Sequence, residues 1–132
     1  MTTLLNVDLI ATDDDLVSEV ASRPRLDRAM KDVAQRDAIR KAALQDVLDA
    51  LATRTPAVAE QMLLDPAELK RAVVYRSLAK IYLSAIAVDG DVHATLNRNY
   101  EREYQAAVRA RFSVAPGQQA GPGGYSFQVS RR

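Results

Sequence analysis

The stretch DPAELKRAVVYRSLAKIYLSAIAV, residues 65–88, decides how the rest of this chain is read. It opens as a helix start. Asp65 stands at the N-cap, Pro66 at the first helical position, where its missing N–H is no loss, and Glu68 in the first turn, at the positive end of the helix dipole. The residues that follow are apolar on more than one face. Leu69, Ala72, Val73 and Ala79 mark one side, and Val74, Leu78, Ile81 and Ala85 mark another. Polar residues narrow to a stripe that includes Lys70, Ser77 and Ser84. A helix with so little polar surface is central and packed on several sides. The expected fold is therefore all-α, a small antiparallel helical bundle around a helix at 66–88, with Leu69, Val73, Leu78 and Ile81 as its core.

Upstream, residues 36–53 repeat the helical period. Ile39, Ala43, Val47 and Leu51 recur every fourth position with Leu44 and Leu48 beside them, while Arg40, Lys41, Asp46 and Asp49 fall largely outside that row. This predicts an amphipathic helix ending near Thr53. Residues 54–65 form a connector. Nearer the start, Thr12 or Asp13 caps a helix with Asp14 and Asp15 in its first turn. That helix runs to about Ser22, where Pro24 breaks it, because a proline disfavours helix in the residue before it. Helix resumes near Arg25, with a pause around Gln35. Capping accounts for the acidic triplet without a metal. Residues 1–11 have apolar content in no regular order and are expected to form a short extended arm.

Downstream, Asp89-Gly90-Asp91 reads as a stop and a restart, with Gly90 in the left-handed position and Asp91 at the next N-cap. An EF-hand fails on spacing, since the sixth loop position would be Ala94 and the twelfth Tyr100. The last helix, about 92–112, carries Leu96, Tyr100, Tyr104, Ala107 and Val108 on one face and Arg98, Glu101, Arg102, Gln105 and Arg109 on the other. After Phe112 the composition shifts. Residues 113–124 contain two prolines, four glycines and no charge, the pattern of a flexible tether. Tyr125, Phe127 and Val129 then alternate with Ser126, Gln128 and Ser130, which is the period of a strand. The expected organisation is an arm at 1–11, a bundle at 12–112 and a flexible tail at 113–132 whose end forms a strand.

Few catalytic chemistries find a foothold. There is no cysteine, and the single histidine, His93, is expected at the surface of a helix's first turn. No phosphate-binding loop motif occurs, and GPGG at 121–124 lacks the strand and helix that would flank one. Tyr75 and Tyr82 read as packing residues. The expectation is a protein that is not an enzyme and has no catalytic, cofactor-binding or metal-binding residues. The sequence lacks both an apolar run long enough for a membrane span and a signal-peptide pattern, so a soluble cytoplasmic product is expected. Charge is uneven along the chain: every charge before Arg23 is acidic, and every charge after Phe112 is basic.

The block DPAELKRAVVYRSLAKIYLSAIAVDGDVHATLNRNYEREYQAAVRARF, residues 65–112, resembles the head–tail adaptor (head completion, or connector) proteins of long-tailed phages and gene transfer agents. The likeness lies in a buried alanine-rich helix opening with D-P-x-x-L-K, a turn, and a helix with a Y-x-x-x-Y pair at Tyr100 and Tyr104. Residues 36–56, RDAIRKAALQDVLDALATRTP, fit the preceding helix. The resemblance implies a structural virion protein at the head–tail interface, made in the host cytoplasm. Its copies would form a ring, twelve-fold in a virion, beneath the portal protein. That ring extends the DNA channel and presents a docking surface to a tail-side stopper or tail protein, with no sequence-specific DNA binding and no membrane. The tail lies outside the matching region. It is expected to anchor to the portal by strand addition through Tyr125, Phe127, Val129, Arg131 and Arg132. Two other readings fit a small helical protein: a DNA-binding regulator, or a phage assembly scaffold or chaperone.

Overall fold

The computed structural model describes residues 5–87 and 90–114 of the 132-residue chain. It is all-α, with five helices among those residues: α1 (Asp13–Val20), α2 (Arg23–Ala29), α3 (Val33–Thr53), α4 (Lys70–Ser84) and α5 (Gly90–Val108). Helix α4 touches each of the other four. Its residues Leu69, Val73, Leu78 and Ile81, counting the turn that leads into it, are all 0% exposed. Ala85 meets His93, Ala79 meets Asn97 and Arg76 meets Glu101, so α4 and α5 run antiparallel. Asp46 pairs with Arg76 and Lys80 while Ile39 lies near Ser84, which sets α3 antiparallel to α4 as well.

Each helix start has a local cause. Thr12 and Asp15 form a reciprocal capping box: the Asp15 N–H donates to Thr12 Oγ1 at 3.3 Å, and the Thr12 N–H donates to Asp15 Oδ2 at 2.8 Å. Ser22 caps α2, and Pro24 lies in its first turn. The proline therefore begins a helix here rather than ending one. Helix α1 stops at Val20 because Ala21 adopts a left-handed conformation at φ 63°. Asp32 caps α3, which moves the pause forward to residues 30–32 from the one expected at Gln35. Asp65 caps as expected, but Pro66–Leu69 form a 3₁₀ turn before α4 proper begins.

Several expectations need correction. Residues 5–11 are not an extended arm. Val7–Leu9 form a 3₁₀ turn, and Val7, Ile10 and Ala11 are buried. One turn is too short for its apolar residues to show a period. Helix α4 ends at Ser84, and Ala85–Ala87 form a turn. Gly90 is the first residue of α5 rather than a left-handed cap, and α5 ends at Val108 rather than near residue 112. His93 is 4% exposed, not a surface residue, and Ser77 is fully buried with its hydroxyl donating to the Val73 carbonyl at 2.7 Å. The strand expected at 125–130 lies outside the described residues, as does Asp89.

Ala79 is 1% exposed on the central helix. Ala79→Asp would place a carboxylate there without a designed partner. It should lower unfolding stability by about 3–5 kcal/mol in urea titration. Near-wild-type stability would show that α4 is not the core of the bundle.

Candidate interaction surfaces

Two arginines one turn apart on α3 hold the first third of the chain to the bundle. Arg36 is 0% exposed. Its Nε and Nη2 donate to the two oxygens of Asp13 at 2.8 and 3.1 Å, while Nη1 donates to Asp27 at 2.9 Å and to the Met30 carbonyl at 2.5 Å. The forked pair with Asp13 is the strong geometry for a guanidinium, and together with the Asp27 bond it ties α1, α2 and α3 to one another. Hydrogen bonding to Asp13 dominates and raises the Arg36 pKa further above its already high value. Arg40, also buried, donates to Asp8 at 2.9 Å and the Ala11 carbonyl at 2.7 Å, and pairs with Asp37. The acidic N-terminal segment thus finds its counter-charges inside the fold. Of the triplet, Asp13 serves Arg36, Asp14 pairs with Arg23 at 3.2 Å, and Asp15 pairs with Lys70 at 3.1 Å. Among the described residues no cluster of three metal-ligating side chains occurs.

A second network joins the three long helices. Arg76 on α4 bridges Asp46 on α3 at 2.9 Å and Glu101 on α5 at 2.6 Å, and Lys80 joins Asp46 at 3.0 Å. Partial burial pushes the Asp46 carboxyl up, but Lys80 and Arg76 outweigh it and hold its pKa below the ordinary value. Beside this network runs an aromatic row. Tyr100 stacks between Tyr75 and Tyr82 with ring centroids 6.0 and 5.9 Å apart, and Tyr82 leans on His93 at 5.5 Å. Burial pushes the Tyr100 hydroxyl up to about 12. His93 Nδ1 lies 2.7 Å from the Ala85 carbonyl, so that nitrogen carries the proton. Tyr75, Tyr82 and Tyr100 are packing groups in this arrangement. Between α2 and the start of α5 lies an open cleft of about 620 Å³, walled by Arg25, Arg28, Tyr82, His93 and Leu96.

The chain leaves the bundle at the opposite end. Arg54 donates to the carbonyls of Val108 and Ala110 at 2.8 and 2.7 Å, capping the C-terminus of α5 with a cation. Its guanidinium also lies over the Phe112 ring at 5.4 Å. Glu68 accepts from both the backbone N–H and the hydroxyl of Ser113 at 2.8 and 3.1 Å. The Leu64 N–H donates to the Ser113 carbonyl at 3.0 Å, and Leu63 and Val114 form an antiparallel bridge. Ser113 and Val114 are thus pinned to the connector and to Glu68.

The anchor residues Tyr125, Phe127, Val129, Arg131 and Arg132 lie outside the described residues. Arg36, Arg40, Arg54 and Glu68 were missed as organising side chains. A signal for the first two was present in the seven-residue repeat rather than the four-residue row: seven positions before Ala43 and Val47 stand Arg36 and Arg40. No protein-family model matches the chain, and no curated protein or solved structure matches it.

Removing the Arg36 charge tests the first network. Arg36→Met should cost about 3 kcal/mol in chemical denaturation, because the largely buried Asp13 loses its forked partner and keeps only Arg23 at 3.9 Å. A loss near zero would mean the group behaves like a surface pair. The second network has a pH signature. Since the folded Asp46 pKa is depressed, its contribution is complete above the unfolded carboxylate value of about 4. It is lost as pH falls through the lower folded value. Thermal melts of wild type and Asp46→Asn should therefore differ near neutrality and converge in acid. A gap that stays constant down to about pH 2 would contradict the assignment.

Proposed function

We propose that the chain is a subunit of a head–tail adaptor ring, a structural virion component rather than an enzyme. Copies assemble beneath the portal protein, twelve to a ring, extend the DNA channel and offer a docking surface to a tail-side stopper or tail protein. The observation that carries this reading is the use the fold makes of the motif residues. Asp65 caps the 3₁₀ turn that leads into the central helix, Leu69 and Val73 fill its core, Tyr100 joins α5 to α4 by stacking, and Tyr104 lies under Arg76 at 5.2 Å. The residues on which the resemblance rests are those that set the helix arrangement, as a shared fold would require.

The tail exit supports the anchoring role. Ser113 and Val114 leave the bundle in an extended, bonded register beside the connector. In this reading residues 125–130 add as a strand to a sheet edge on the portal, with Tyr125, Phe127 and Val129 in pockets and Arg131 and Arg132 against acidic groups. In the same reading the residues between them serve as a tether, and a flexible chain of about ten residues reaches on the order of 20 Å. The bundle is the docked body, and its mixed-charge faces suit neighbours that associate only on the portal.

Mass photometry of purified portal with added subunit should show a discrete mass increase, while sedimentation of the subunit alone shows a monomer. Deleting residues 115–132, which keeps the Ser113 and Val114 contacts, should leave the helical circular dichroism intact and sharply reduce portal binding. Unchanged binding by the truncated chain would remove the tail from the mechanism. No binding by the full chain would remove the adaptor reading.

A further inference from the structure

In sequence, α5 reads as a mixture, Arg98-Asn99-Tyr100-Glu101-Arg102-Glu103, and neither charge dominates. The fold separates them. Glu101 turns to Arg76 at 2.6 Å, and Glu103 lies toward Arg71, on which it acts electrostatically. His93, Tyr104 and Ala107 point into the bundle. The opposite, exposed side carries Thr95, Arg98, Asn99, Arg102, Gln105 and Arg109. Among the described residues no carboxylate stands within ion-pair distance of Arg98, Arg102 or Arg109. Two exposed carboxylates border this side: Asp91 in the first turn at the far end, and Glu103 at its edge, one turn after Asn99.

We infer that this outward face of α5 contacts the phosphate backbone of duplex DNA without reading its sequence. The inference rests on the adaptor reading for where the DNA lies, and it names α5 as the helix turned to the channel. The side-chain set favours nucleic acid over an acidic protein. Arginine, threonine, asparagine and glutamine are all phosphate-contacting types. Ala106 and, at the helix start, Val92 are the exposed apolar residues on that side, with no aromatic among them, whereas a protein interface would be expected to offer a cluster of aromatic or large aliphatic anchors. At 1.5 Å per residue the arginines span about 16 Å, on the order of five nucleotide steps of one strand. Arginines spaced in this way each reach a phosphate within that span of one strand. With no side chains committed to base edges, the contact is independent of sequence, as passage of a genome requires.

The test is fluorescence anisotropy of full-length protein with a random-sequence duplex, repeated over a salt series. Three phosphate contacts predict a log–log salt slope of about −2.7 from this face. R98Q/R102Q/R109Q should flatten the slope by about that amount and weaken low-salt binding at least about tenfold, with the helical signal unchanged. Lys31→Gln with Lys41→Gln, which removes cations elsewhere, should leave the slope as it was. Three results would overturn the inference: no binding by wild type at low salt, an unchanged slope in the triple variant, or equal binding to poly-L-glutamate of matched charge. Portal docking measured on the same proteins separates the two readings. Docking without an effect of the triple variant on DNA removes only the α5 face, whereas DNA binding without docking removes only the adaptor.

Discussion

A guanidinium with no exposure to solvent must have its charge answered and its five N–H donors placed, or the fold that buries it is lost. Arg36 meets that demand by drawing Asp13 from α1, Asp27 from α2 and the carbonyl of Met30 just after α2. The first thirty residues could otherwise lie in many ways against three long helices, since α1 and α2 are short and bury little: Leu16 and Leu26 are their only fully buried side chains. Apolar contact alone has no direction. The arginine supplies direction, and Arg40 one turn later extends it to Asp8 and Ala11.

This arrangement also determines what the surface can offer a partner. The acidic character of the N-terminal segment is largely consumed internally, by Arg36, Arg40, Arg23 and Lys70. The carboxylates Asp46 and Glu101 are consumed in the same way at Arg76 and Lys80. What remains outward along the middle and end of α5 is mainly cationic, Arg98, Arg102 and Arg109 against Glu103, although the chain as a whole is nearly neutral at +1. Net charge is thus a poor guide to this molecule, because pairing within the fold is selective about which sign it hides. The two ends differ as well. Val33, Leu83 and Val92 stay exposed where α3 begins and α4 meets α5, while the other end holds the capped terminus of α5 and the exit of the tail.

The all-α class, the central place of α4 and the approximate helix spans followed from periodicity and caps, which are local properties of the chain. Thr12, Ser22, Asp32 and Asp65 each accept from a backbone N–H two or three residues on, a contact that needs no tertiary partner. The multi-sided apolarity of residues 69–85 required several neighbours whatever those neighbours were. The motif residues Tyr100 and Tyr104 were legible for the same reason, lying on the apolar row of their helix.

What the tertiary structure alone decided was the fate of the polar groups. Arg36 and Arg40 sit on the buried row of α3, and a sequence pattern classes an arginine as outward because isolated burial of its charge is prohibitive. Only the arrival of Asp13, Asp27 and Asp8 from elsewhere in the chain reverses that sign. His93 is buried because Ala85 and Tyr82 come from α4 to meet it, and Ser113 leaves in a fixed direction because Glu68 lies 45 positions away in sequence. Short-range rules report what a helix needs at its own ends and along its own faces. A buried charge is decided by the partner it meets, and that partner is known only once the chain has folded.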